Sequence, residues 1–101
     1  MTIAACNARL LTLTMYKSDL EYRIISVSNR RQQLAYQSAA LSDADFNEDP
    51  RVEALQLHES ALELEQKNLE TQQKAVVSEY EGLQKLLESN IKKDFKIDVG
   101  G

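Results

Sequence analysis

The chain has 101 residues and a net charge of −4, with 43% hydrophobic and 28% charged side chains. Three Gly and one Pro are too few turn-formers for a sandwich or barrel, which needs a turn about every 8–12 residues. The acidic balance argues against a general nucleic-acid binder, whose phosphate contacts need clustered Lys and Arg. One Cys cannot close an internal disulfide, and one His cannot build a His-rich metal cage.

At the N-terminus no Lys or Arg precedes Arg9, and the apolar patch from Leu10 to Met15 is broken by Thr12 and Thr14. A secretory signal is therefore not expected. No stretch approaches the ~20 apolar residues of a membrane span. The expected location is the cytoplasm, or outside the cell by a route without signal cleavage.

Residues 3–41 hold no Gly or Pro and are rich in good helix formers, so the first predicted element is a helix over about 3–41. An acidic turn follows over 42–49, containing Asn47 and ending in Asp49-Pro50. Asp at an N-cap followed by Pro at the first helical position starts the second helix, predicted over about 50–93, with Gly82 its only Gly. Asn90-Ile91-Lys92-Lys93 places cations at the negative helix end. The tail, 94–101, alternates apolar and polar, so that Phe95, Ile97 and Val99 share one face of a strand. It is expected either to fray or to order against a neighbouring subunit.

Each predicted helix is on the order of 60 Å long at about 1.5 Å per residue and needs a partner along its length. Cys6, Leu13, Leu20, Val27, Leu34 and Leu41 recur every seven residues, as do Leu55, Leu62, Leu69, Val76 and Leu83. A sustained heptad marks helices wrapped on one another. Folding the chain back at Glu48 sets Leu41 beside Leu55, Leu34 beside Leu62, Val27 beside Leu69, Leu20 beside Val76, and Leu13 beside Leu83. The turn and the two repeats agree on one all-α domain, an antiparallel helical hairpin.

The second row of the seam is less regular. Tyr16, Ile24, Val52, Tyr80, Leu86 and Leu87 supply bulk near the ends, while the middle is polar. Such a thin seam makes the isolated hairpin marginal, and association would supply the missing burial. Ile3, Leu10, Leu11, Tyr22, Ile25, Tyr36, Leu57, Leu64, Val77 and Ile91 exceed what one narrow seam holds. They belong either to a broad bundle face or to a second face for other copies or a partner. Tyr22, Tyr36, Ile91, Phe95, Ile97 and Val99 are the candidate subunit contacts.

No catalytic constellation stands out. His58-Glu59 lacks the second His of a zinc-protease helix, and Leu55 sits where a di-iron Glu-x-x-His motif needs Glu. The second helix carries carboxylates of an ordinary solvated face, with Glu63–Lys67 at i, i+4. Arg30-Arg31 is read as pairing with Glu65 or nearby acids across the hairpin. The expectation is no enzyme, no catalytic or metal residues and no cofactor.

Asn47-Glu48-Asp49-Pro50 at the turn, and Ile91-Lys92-Lys93-Asp94-Phe95 near the end, resemble the needle subunits of type III secretion systems. The chain departs from them in lacking a paired-Pro turn and in extending through Lys96–Gly101. In length and topology it also resembles small secreted helical hairpins, without their Trp-x-Gly turn. The resemblance implies a filament-forming subunit exported without a cleaved signal. The functional expectation is a structural protein that self-assembles as a homo-oligomer. The alternative is a coiled-coil adaptor or chaperone-like protein that binds another helical protein.

Overall fold

In a computed structural model the chain forms two helices, α1 (Ile3–Ala40) and α2 (Pro50–Gly100). The structure describes residues 2–41 and 49–100, with side chains through residue 94. The predicted turn lies outside the described residues apart from Asp49, and Asn47 lies outside them too. Among the described residues there is no strand.

Both helix starts have a local cause. The Thr2 hydroxyl accepts the backbone N–H of Ala5 at 3.1 Å, and the Thr2 carbonyl accepts that of Cys6 at 2.9 Å. Thr2 is thus the N-cap of α1. Asp49 caps α2 as expected: its Oδ1 accepts the Arg51 backbone N–H at 2.9 Å, with Pro50 as the first helical residue. The Arg51 guanidinium donates to both Asp49 oxygens at 3.1 and 2.8 Å. That side-chain pairing, then the backbone bond, holds the Asp49 carboxyl below its ordinary range.

α1 closes one residue before the expected 41, with the Leu41 N–H donating to the Ser38 carbonyl at 3.1 Å. α2 runs on to Gly100, past the expected end at 93. No Gly or Pro interrupts residues 83–99, so nothing in the backbone stops the helix. The strand-like spacing of Phe95, Ile97 and Val99 therefore falls on helical backbone, and their side chains lie outside the described ones.

Two compact units share the helices: Met1–Leu20 with Gln72–Gly101, and Glu21–Thr71. In each, a segment of α1 runs antiparallel to a segment of α2, the arrangement of a helical hairpin. In the first unit Cys6, Leu13 and Leu83 form a buried cluster, flanked by Leu10, Val76, Tyr80 and Leu87. In the second, Val27, Leu34, Val52, Leu62 and Leu69 are buried. Every buried side chain among the described residues is apolar.

Candidate interaction faces

The heptad rows lie where the spacing puts them. Leu13, Leu20, Val27, Leu34, Leu62, Leu69 and Leu83 are buried, while Leu41, Leu55 and Val76 are half-buried. Leu41 follows the end of α1 and Leu55 lies in the first turns of α2. With Leu34, Ala40 and Ala54 they line a groove of about 580 Å³, rimmed by Arg30, Arg51 and His58.

The second row differs from the expected one. On α1 it passes through Ile3, Leu10, Ile24 and Arg31, all half-buried, with Lys17 exposed between Leu10 and Ile24; on α2 through Val52, Glu59, Gln66, Gln73, Tyr80 and Leu87, all at least half-buried. Ile3 and Leu10 are therefore seam residues, not surplus. Tyr16 is 53% and Leu86 39% exposed. Each lies one position from a row residue, Lys17 or Leu87, and that step of about 100° turns it onto the flank.

In the second unit the polar middle of this row closes on itself. Arg31 donates to Glu59 at 2.9 and 2.6 Å, and to the Gln66 side-chain oxygen at 2.7 Å. Glu59 is thus half-buried in the seam rather than on a solvated face, and it replaces Glu65 as the acid that Arg31 meets. A neighbouring bond runs from Gln66 Nε2 to Glu70 at 3.2 Å. The bond to Glu59 outweighs partial desolvation and raises the Arg31 pKa. In the first unit Arg9 grips Glu79 through two bonds of 2.8 and 3.1 Å. That pairing holds the Glu79 carboxyl below its ordinary range. An ion pair of Arg31 with an acid across the hairpin is as expected, whereas the Gln66 contact and the Arg9–Glu79 pair were missed by sequence reasoning. The signal for the first was a charged or amide residue at a seam position on each helix; Arg9 and Glu79 stand outside both rows.

What remains is the outward surface. Among the described residues ten large hydrophobic side chains are exposed, including Leu11 (65%), Met15 (67%), Tyr22 (73%), Ile25 (59%) and Tyr36 (67%) on α1, and Leu57, Leu64 and Ile91 on α2. Tyr22, Tyr36 and Ile91, three of the six candidate contacts, are at the surface; the other three are undescribed. Single exposed apolar residues are normal. Those of α1 other than Tyr16, however, fall at one alternating spacing of three and four. Ala4, Ala8, Leu11, Met15, Ser18, Tyr22, Ile25, Asn29, Gln32, Tyr36 and Ala39 contain no charge. The corresponding outward row of α2 reads Glu53, Leu57, Ser60, Leu64, Lys67, Thr71, Lys74, Ser78, Glu81, Lys85 and Glu88. That alternation of sign is the ordinary solvated face. The ion pair of Lys67 with Glu63 at 3.2 Å belongs to it.

No group of three or more His, Cys, Asp or Glu converges as metal ligands among the described residues. Among them no helix is long and apolar enough to cross a membrane. No known protein family, curated protein or solved structure matches this chain.

Proposed function

We propose that the protein is a non-enzymatic structural subunit that assembles with copies of itself through helix faces. The observation that carries this reading is the contrast between the two outward rows. α2 presents charge to solvent, whereas α1 presents five large apolar side chains in a charge-free heptad row. A second heptad row is what a helix needs to join a further helix after the first seam is filled. The thinness of the seam, with Arg31, Glu59 and Gln66 at its middle, adds an energetic reason for the hairpin to gain from association.

The narrower form of the proposal is a needle-like filament subunit exported without a cleaved signal. The turn and C-terminal resemblance to type III secretion needle subunits supports it. Sedimentation and circular dichroism across a concentration series test the broad form. The expected result is a mass above the monomer and helix content that rises with concentration. A monomer with concentration-independent helix content would remove it. Negative-stain electron microscopy of concentrated protein then separates filaments from discrete particles.

A coiled-coil adaptor for another helical protein is the second reading. Leu57 and Leu64, exposed one heptad apart within the charged row of α2, favour it. They form a short apolar stripe with a charged rim suited to a helix of different sequence. A chain that stays monomeric alone yet binds one partner at fixed stoichiometry would support the adaptor over the subunit.

A further inference from the structure

The groove between α1 and α2 lies wholly within the unit Glu21–Thr71. Its apolar lining is Leu34, Ala40, Leu41, Ala54 and Leu55. Leu41 and Leu55 stand on the heptad rows yet are only half-buried, and Ala40 and Ala54 are exposed. Apolar surface that belongs to the seam is therefore left facing solvent at this point.

The charge around it runs against the rest of the chain. The rim carries Arg30 on α1 and Arg51 and His58 on α2, and among the described residues no carboxylate lines it. In a chain of net charge −4 that is a local reversal of sign. Asp49 holds the Arg51 guanidinium, and Glu59 is turned to Arg31. Arg30 and His58 have no hydrogen-bond or ion-pair partner among the described residues. Glu65 shares a neighbouring hollow with Arg30 without a bond to it.

Spacing indicates what fits. Leu34 and Leu41 are seven residues apart, as are Arg51 and His58. Two turns of helix bring each pair onto one face, about 10.5 Å apart. A guest helix repeats at the same interval. Its apolar anchors at i and i+7 can meet Leu34 and Leu41 while acids beside that stripe meet the rim. An amphiphile with a single carboxylate, such as a fatty acid, would satisfy the rim at one point only. The outward rows of this chain are not the complement: that of α1 has no charge, and that of α2 mixes Glu with Lys.

We propose that this groove receives an acidic amphipathic helix of another protein, which packs as a third helix on α1 and α2 with its carboxylates on Arg30 and His58. The proposal rests on the adaptor reading and gives it a face distinct from the Leu57–Leu64 stripe, since Leu57 stands a step of about 100° from His58. Fluorescence anisotropy with the full chain tests it. The probe is a labelled helix-forming peptide of about 18 residues, with Leu at i, i+4 and i+7 and Glu flanking them. Its counterpart has Lys in place of each Glu.

The expected result is that the acidic peptide binds about tenfold more tightly than the basic one. The net charge of −4 favours the opposite order, so bulk attraction cannot produce it. Combining Arg30→Glu with His58→Glu should reverse the preference. Both positions are exposed, and a gain of binding by the basic peptide is a signal that an unfolded variant would not give. Equal binding of the two peptides, a preference for the basic one, or no binding of either would overturn the proposal. Displacement of the acidic peptide by dodecanoate below its micelle-forming concentration would assign the groove to a single-headed amphiphile and overturn it too. Binding that Leu57→Glu abolishes and the rim variant leaves intact would move the guest to the Leu57–Leu64 stripe. That result would overturn the groove while the adaptor reading stands.

Discussion

Leu11 and Leu13 stand two residues apart on α1, and the same truncation at each should have opposite consequences. Leu13 is 1% exposed, inside the cluster with Cys6 and Leu83. Leu13→Ala removes that burial and leaves a space which a seam only two helices thick partly refills. The loss is therefore near the low end of the core range, about 2–3 kcal/mol. For a chain of this size that lowers the melting temperature by roughly 10–20 °C. Leu11 is 65% exposed, so Leu11→Ala should cost the isolated chain under ~1 kcal/mol. Thermal circular dichroism of dilute protein separates the two. Repeating the melts at high concentration reverses the emphasis: Leu11→Ala should lose the concentration-dependent gain in stability, whereas Leu13→Ala should keep part of it. Equal shifts in dilute solution, or a larger one for Leu11→Ala, would refute the assignment of seam and outward faces.

Gly82 has no atom within 4 Å of where a Cβ would stand. Gly82→Ala should therefore raise the melting temperature by several degrees, about 0.5–1 kcal/mol of helix propensity, as read by thermal melts. Asp49 and Glu79 both have folded pKa values below their ordinary range. Their contribution is thus present above the unfolded carboxyl pKa of about 4 and lost as pH falls through the folded values. Melting temperature should fall on acidification below about pH 4, and Glu79→Gln should shrink that dependence, more at low salt than at high. Either single change, Arg31→Leu or Glu59→Leu, leaves a half-buried group without its partner. Each should lower the melting temperature more than the double change does, and additive losses in the mutant cycle would contradict the coupling seen between them. Cys6 should react with a thiol reagent far more slowly in the native chain than in denaturant, because its side chain is fully buried.

Much of the hairpin was legible because its main signal is long and redundant. The row from Cys6 to Leu41 sets six residues at one spacing, the row from Leu55 to Leu83 five, and Asp49-Pro50 marks a helix start by chemistry that needs no tertiary context. The second row was harder to read because its members are chemically mixed. Arg31, Glu59 and Gln66 look like surface residues until the neighbouring helix shows that they satisfy one another. Tyr16 and Leu86 look like core but stand one step round the helix. The course of α2 to Gly100 was masked by an alternating tail, since a period of two over a few residues is weak against an unbroken run of helix formers. In the sequence the outward row of α1 reads only as a surplus of apolar residues. Its order emerged only once the seam positions were known and could be set aside.

Leucines every seven residues make every tooth of a zipper alike, and teeth that are alike can mesh one place out. Shifting one arm by seven residues would still set leucine against leucine over most of its length. It would also move Arg31 away from Glu59, leaving a half-buried guanidinium and a half-buried carboxylate without each other. Arg31 therefore works as the one tooth cut to a different pattern: a misaligned closure costs most at that point, and the chain has reason to reopen and try again. A variant with an all-aliphatic seam would hold more tightly and close less faithfully.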